Sequence, residues 1–399
     1  MYRIYCRVIQ FMMRMVSYLL PWRKPELIEG ESCLEKLAPL LIERGWKHPL
    51  IVTGPHIYAS GLLSPLEHSF VEKGINYEVY SSTVSNPTVS NVEEALSLYW
   101  VKECDGIIVF GGGSPMDCGK AVAARIARPN KKISQMRGVL KVRRKIPYLV
   151  AIPTTAGTGS ETTIAAVISD PSKREKYAIS DVALIPHVAV LDPIVTRNLP
   201  PFITATTGMD ALTHAIEAYI GRSNTKETKA MALQATKLIF QNLLLAYENG
   251  DNMQARWQMQ KASYYAGIAF TRAYVGYVHA VAHSLGAYYN TAHGLANAVI
   301  LPIVLKAYGE SVIVPLSELA IECGIGSLKQ TKQENAANLI YRIRELNQKM
   351  GIPNTIEDLH KEDILVLAEH ALKEANPLYP VPRIFDSEQL VKIYERLLP

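Results

Sequence analysis

Hydrophobic and polar positions divide the chain into three stretches. From Ile4 to Trp22 the residues are mostly Ile, Val, Phe, Met and Leu, and on a helical wheel Ile4, Val8, Phe11, Met15 and Tyr18 form one apolar stripe with arginines beside it. From Gly30 onward short apolar runs alternate with helical spacing. Leu34 to Arg44, Ile57 to Lys73, Ser90 to Val101 and Met116 to Arg128 read as helices. Pro49 to Thr53, Tyr77 to Ser81, Gly106 to Phe110, Tyr148 to Ile152, Ala178 to Ser180 and Val188 to Leu191 read as strands. Such alternation predicts a parallel sheet with crossover helices. Beyond about residue 195 helical periodicity takes over, in Lys226 to Glu248, Arg256 to Ala273, Pro315 to Cys323, Glu334 to Met350 and Glu388 to Leu398, with a first helix beginning near Thr207. The expected organisation is therefore an N-terminal amphipathic segment (1–25), an α/β domain (26–195) and an all-α domain (196–399).

Length and composition agree with this division. A chain of 399 residues exceeds one ordinary core, and 48% apolar with 20% charged residues is a globular composition rather than a disordered one. A net charge of +5 over this length does not mark a nucleic-acid binder. Five cysteines form no CxxC pair, so neither a disulfide framework nor a zinc knuckle is expected, and a reducing cytoplasm fits best. The apolar stretch at Ile4–Trp22 is interrupted by Arg7, Gln10 and Arg14, so no transmembrane segment is expected. Nor does it have the apolar centre and cleavage site of a signal peptide. It is expected to pack on its own or a neighbouring subunit, with a membrane-surface or targeting helix as the alternative.

Two glycine- and hydroxyl-rich turns follow buried strands. Gly106–Phe110 runs into Gly111, Gly112, Gly113, Ser114 and Pro115 and then a helix, the layout of a phosphate site, with Ser114 as the expected N-cap and Asp117 in the first turn. The turn is neither GxGxxG nor a P-loop. Tyr148–Ile152 runs into PTTAGTGSETT, Pro153 to Thr163, which is suited to the same phosphates or ribose or is simply a polar turn. The basic run Lys131 to Lys145 reads as a solvated loop.

The helical part carries a second kind of chemistry. In TGMDALTHAIEAY, Asp210 and His214 lie four apart on one helix face, although Thr207 followed by Asp210 also resembles a capping box. Downstream, GYVHAVAHSLGAYYNTAHGLANA from Gly276 to Ala298 holds His279, His283 and His293 among small and apolar residues and no charge. His279 and His283 share a face, Gly286 one turn on allows close backbone approach, and Asn290 marks a loop from which His293 returns on a second element. Together these supply a carboxylate and several imidazoles, a donor set suited to Fe(II) or Zn(II).

With both halves in view the chain resembles the iron-containing, or group III, alcohol dehydrogenases. The resemblance rests on GGGSPMDCGKAVA (Gly111–Ala123), PTTAGTGSETT, the Asp192-Pro193 pair, TGMDALTHAIEAY (Thr207–Tyr219) and HAVAHSLGAYYNTAHGLANA (His279–Ala298), in that order. It implies a Rossmann-like dinucleotide-binding α/β domain joined to an all-α domain, a dehydroquinate synthase-like architecture, with the active site in the cleft between them. By the resemblance, Asp210, His214, His279 and His293 are the metal ligands, and His283 is the catalytic histidine near nicotinamide and substrate. Gly112, Gly113, Ser114, Asp117, Thr154, Thr155 and Thr158, with Asn86 and Lys176, match cofactor positions. The implied reaction is hydride transfer between NAD(P)H and a small aldehyde or ketone, the metal acting as Lewis acid on the substrate oxygen.

One departure bears on the cofactor. Where many NAD-using relatives have aspartate after the first strand, this chain reads Val52, Thr53, Gly54. A carboxylate there accepts from the ribose 2'-hydroxyl and repels a 2'-phosphate, and Gly54 does neither, so NADP(H) is favoured over NAD(H). A homodimer or higher homo-oligomer is expected, and no nucleic-acid partner. The alternatives are a zinc-dependent glycerol dehydrogenase-like or dehydroquinate synthase-like enzyme of the same fold, or a non-catalytic or shell-associated protein docking through its first helix.

Overall fold

The structure, a computed structural model, describes every residue except Arg174. The chain forms two compact units: Pro21–Asn198, and Met1–Leu20 together with Leu199–Pro399.

The first unit is built on a parallel sheet. Its strands in chain order are β1 (Glu26–Glu29), β2 (Pro49–Val52), β3 (Glu78–Tyr80), β4 (Gly106–Gly111), β5 (Gly138–Val139), β6 (Leu149–Pro153), β7 (Ala165–Asp170), β8 (Glu175–Ser180) and β9 (Val188–Leu191). Six of them form the main sheet in the order β1-β9-β6-β4-β2-β3, every pair parallel, and β5-β8-β7 make a small second sheet. Alternate side chains point to opposite faces. Leu50, Val52, Ile107, Val109, Leu149 and Ala151 enter one core, while Ile51, Ile108, Phe110, Val150, Ile152 and Val190 enter the other. Both faces are covered, which is why these strands read as unbroken apolar runs. Strand order reverses between β2 and β4, the topological switch point beside which doubly wound sheets bind ligands at the carboxyl ends of their strands.

Helix Gly113–Ala127 begins directly after β4, two residues before the expected Pro115, with Gly112 rather than Ser114 as N-cap. Ser114 is instead inside the first turn, where its Oγ accepts the Asn86 N–H at 3.2 Å. The helix lies close on the sheet because a Cβ at Gly119 would stand 2.2 Å from Val109 Cγ2.

The second unit is helical. Helices Pro201–Ile220, Lys226–Glu248 and Met253–Ala273 pack through Ala215, Ala235 and Ala266, small residues that let three backbones approach. Helices Tyr277–Tyr289, His293–Tyr308, Ile313–Glu322, Lys332–Lys349, Ile364–Ala375 and Ser387–Glu395 complete it. Helix Pro201–Ile220 starts almost two turns before the expected Thr207. Thr207 is therefore interior, its hydroxyl donating to Ile203 O at 2.7 Å, and the capping-box reading of Asp210 does not hold. The apolar run His293–Glu322 is long enough to cross a membrane by length and composition, but more than half of its most apolar window is buried inside this unit.

Helix Tyr2–Leu19 packs on the helical unit with its polar side. Cys6 and Gln10 are its buried residues. Gln10 Nε2 donates to Pro377 O at 3.1 Å and Tyr379 O at 2.8 Å, and Arg7 donates to Val381 O at 2.7 Å and Pro382 O at 2.9 Å. The apolar stripe faces outward: Ile4 is 70% and Phe11 63% exposed.

Candidate metal centre and cofactor turns

Helix Pro201–Ile220 carries Asp210, His214 and Glu217 at i, i+4 and i+7, all buried. Helix Tyr277–Tyr289 brings His279 and His283, Asn290 closes it in a left-handed conformation, and His293 opens the next helix. The close approach lies at a glycine other than the expected Gly286. A Cβ on Gly286 would meet only Thr291 O, at an ordinary 3.5 Å, whereas one on Gly294 would stand 2.4 Å from Thr206 O. Gly294 thus lets the start of the His293 helix lie against the turn that precedes Asp210.

Asp210, His279 and His293 form a three-residue cluster whose ligand atoms lie within 4.8 Å of one another. Asp210 Oδ1 is 3.3 Å from His293 Nε2 and 3.8 Å from His279 Nε2. A tetrahedral ion with bonds of about 2.1 Å spaces its ligands about 3.4 Å apart, so these distances suit one. His214 stands beside the cluster rather than in it, with Nδ1 3.8 Å from Asp210 Oδ1 and its ring stacked between Phe270 and His279 at 4.0 and 4.4 Å.

Support for these groups comes from residues the sequence reading passed over. Glu217 Oε2 accepts from Gly276 N at 2.7 Å and contacts His279 Nδ1 at 2.7 Å, while Oε1 accepts from Val278 N at 2.8 Å. A carboxylate oxygen accepts, so the His279 proton sits on Nδ1. Nε2 then carries its lone pair toward Asp210; it is buried and has no hydrogen-bond partner. Burial pushes the Glu217 carboxyl up to about 7. Burial, then the His214 and His293 rings, hold His279 well below its ordinary value and so neutral, the form that binds metals. Burial would raise Asp210, but the surrounding imidazoles, His214 first, outweigh it and keep the carboxylate ionised. Asn297, one turn after His293, donates to Asp210 Oδ1 at 2.7 Å. An orphaned imidazole nitrogen, a centred carboxylate oxygen and a neutral ring fit a divalent cation.

His283 lies next to the cluster, its ring stacked on His293 at 5.1 Å. Its Nδ1 is 2.6 Å from Glu374 Oε1, which also accepts from the Tyr379 hydroxyl at 2.8 Å. The sequence signal for Glu217 was its i+3 position from His214; Glu374, on a distant amphipathic helix, had none.

In the α/β unit the expected cofactor residues Gly54, Gly112, Gly113, Thr154, Thr155 and Thr158 follow the carboxyl ends of the neighbouring strands β2, β4 and β6. Gly54 follows β2 and caps helix Pro55–Ala59. Gly112 and Gly113 follow β4 and face the turn after β6: a Cβ on Gly112 would touch Thr155 at 3.4 Å, and one on Gly113 would touch Thr158 at 3.2 Å. Thr154 N donates to Gly111 O at 3.1 Å. Asn86, bonded to Ser114, also accepts from Lys176 Nζ at 2.7 Å through Oδ1. Asp117 and Lys120 follow along the helix. Burial raises the Asp117 carboxyl and lowers the Lys120 ammonium, each partly offset by the other's charge. Lys120, also passed over, is fully buried and donates to Ser160 Oγ, Thr163 O, Thr163 Oγ1 and Ala165 O at 2.8–3.1 Å, tying the second turn to the helix of the first.

The iron-containing alcohol dehydrogenase model matches residues 25–193, and the C-terminal model of the Fe-containing alcohol dehydrogenase family matches residues 204–398. The chain belongs to this family. It is 39% identical over 371 residues to alcohol dehydrogenase 4 of Saccharomyces cerevisiae, covering 92% of this chain and 95% of that one. A crystal structure of a 1,3-propanediol oxidoreductase superposes with TM-score 0.90 at 33% identity, covering 94% and 99% of the two chains. A sulfoacetaldehyde reductase from Bifidobacterium kashiwanohense, solved in complex with NAD+, superposes with TM-score 0.85 at 27% identity, covering 94% and 98%. Membership makes the chain a metal-dependent alcohol dehydrogenase or aldehyde reductase that uses a nicotinamide cofactor.

Proposed function

We propose that Asp210, His279 and His293, with His214 beside them, hold one divalent ion, and that the enzyme reduces small aldehydes or ketones, or oxidises their alcohols, with a preference for NADP(H). The carrying observation is the buried, partnerless Nε2 of His279 aimed at Asp210. The ion, Fe(II) with Zn(II) as its competitor on affinity, supplies polarisation of the substrate's oxygen when bound. Glu217 keeps His279 in one tautomer and orientation. His283, its Nδ1 held by Glu374 and its ring stacked on His293 beside the cluster, is the group placed to take the proton released in oxidation and return it in reduction.

In the α/β unit the backbone N–H groups around Gly112 and Gly113, at a helix N-terminus, suit a pyrophosphate, and Gly54 leaves no carboxylate to repel a 2'-phosphate. A cytoplasmic setting accords with five free cysteines, four of them buried.

The test is the anaerobic rate of NADPH and NADH oxidation with a short aldehyde, after reconstitution with Fe(II) and again after chelation. Chelator-sensitive turnover favouring NADPH is expected. Metal-independent turnover would remove the ligand assignment, and a clear preference for NADH would remove the reading of Gly54.

A further inference from the structure

We infer that helix Tyr2–Leu19 docks the enzyme on an anionic phospholipid surface. An ordinary amphipathic helix buries its apolar stripe against the protein, and this one is turned the other way. Its polar residues Arg7 and Gln10 grip the backbone of Pro377–Pro382, which fixes the helix in rotation. Ile4, Val8, Phe11, Met15 and Tyr18 are consequently all at least half exposed, and Met12 and Leu19 extend the same surface. An exposed apolar stripe this long marks a surface that something covers.

Charge identifies the occupant. The helix contains Arg3, Arg7 and Arg14 and no acidic residue. Arg3 pairs with Asp386 at 3.3 Å. Beside the stripe lies a shallow depression with room for little more than one water, its lining including Arg14, Tyr18, Thr225, Arg272 and Tyr274. Arg14 stands there near the start of helix Lys226–Glu248, whose first turn Thr225 caps. Arg272 also pairs with Glu227. Apolar side chains that enter acyl chains, on a helix whose only formal charges are those of arginines, match an anionic phospholipid surface.

The experiment is co-sedimentation of the full chain with mixed phosphatidylcholine–phosphatidylglycerol vesicles, with pure phosphatidylcholine vesicles and inorganic phosphate as separate arms. Binding to the mixed vesicles is expected, weakened about tenfold or more by Phe11→Asp with Met15→Asp and, separately, by Arg14→Glu, with aldehyde reduction and the melting temperature unchanged. Equal binding to both vesicle types, or none to either, would overturn it. So would phosphate binding without vesicle binding, or loss of self-association as the only effect of the Asp variants.

Discussion

Glu217 Oε2 lies 2.7 Å from His279 Nδ1 with both side chains almost wholly buried, so one ring is held from behind by a carboxylate on a different helix. Glu217→Gln keeps the shape but turns an amide N–H toward one of the three donors that now share the carboxylate. We expect metal affinity to fall about 10–100-fold with the fold retained. Metal quantification after equilibration with a competing chelator reads this directly, and unchanged retention would mean that the contact orients nothing.

Gly294 is the point where two site helices meet. Gly294→Ala places a methyl 2.4 Å from Thr206 O, a backbone atom that cannot swing away. Stability should drop by about 1–3 kcal/mol, and bound metal should drop with it because His293 is displaced. Thermal denaturation with metal analysis on the same sample separates this from a purely local strain.

If the proposed NADP(H) preference holds, Gly54→Asp should move it toward NAD(H). A Cβ there would stand 3.2 Å from Thr83 O, tight but relieved by a shift of a few tenths of an ångström. The ratio of kcat/KM for NADH to that for NADPH should rise about tenfold or more, from a new acceptor for the ribose hydroxyl and a repulsion of phosphate. A ratio that does not move would place 2'-phosphate recognition elsewhere.

His187 makes the α/β unit sensitive to acid. Its Nδ1 accepts from Leu149 N at 3.0 Å and its ring stacks on Tyr148, so protonation removes an acceptor inside the unit. Burial, then Arg23, Lys145 and Arg44, lower it from 6.5 to about 4. Below 6.5 the unfolded chain binds the proton and the folded chain does not, so stability rises with pH across this window. The contribution is complete above 6.5 and lost as pH falls to about 4. After allowance for its partial exposure it is on the order of 2 kcal/mol. Urea unfolding at neutral pH and near pH 4.5 should show that loss in the native chain and not in His187→Asn, whose amide oxygen can accept from Leu149 without titrating.

What the sequence revealed follows burial. Strands covered on both faces, such as Gly106–Gly111 and Val188–Leu191, announce themselves as apolar runs, whereas β1 at the sheet edge reads Glu-Leu-Ile-Glu and carries no such signal. The start of helix Pro201–Ile220 was missed because Thr204, Thr206 and Thr207 are weak helix formers that tertiary packing holds in place. Histidines four apart could be placed on one face from spacing alone. Their carboxylate supports could not, since Glu374 reaches His283 from 91 residues away and an acid on an amphipathic helix ordinarily faces water. Helix Tyr2–Leu19 packs on its own chain, one of the two expected partners, but nothing in the sequence signalled that Arg7 and Gln10, rather than the apolar stripe, would make the contact, since backbone carbonyls leave no pattern in side-chain spacing.

Helix Pro201–Ile220 carries Asp210, His214 and Glu217 along one line, and this has a consequence for how the gene can change. Adding or removing one residue between Asp210 and Glu217 would rotate everything beyond it by about 100° and shift it by about 1.5 Å along the axis. The proposed ligand Asp210 and the carboxylate behind His279 would then point to different sides, and no rearrangement of neighbouring loops would realign them. Substitutions on the far face of that rod cost only packing, but its length between those two residues is not free to drift.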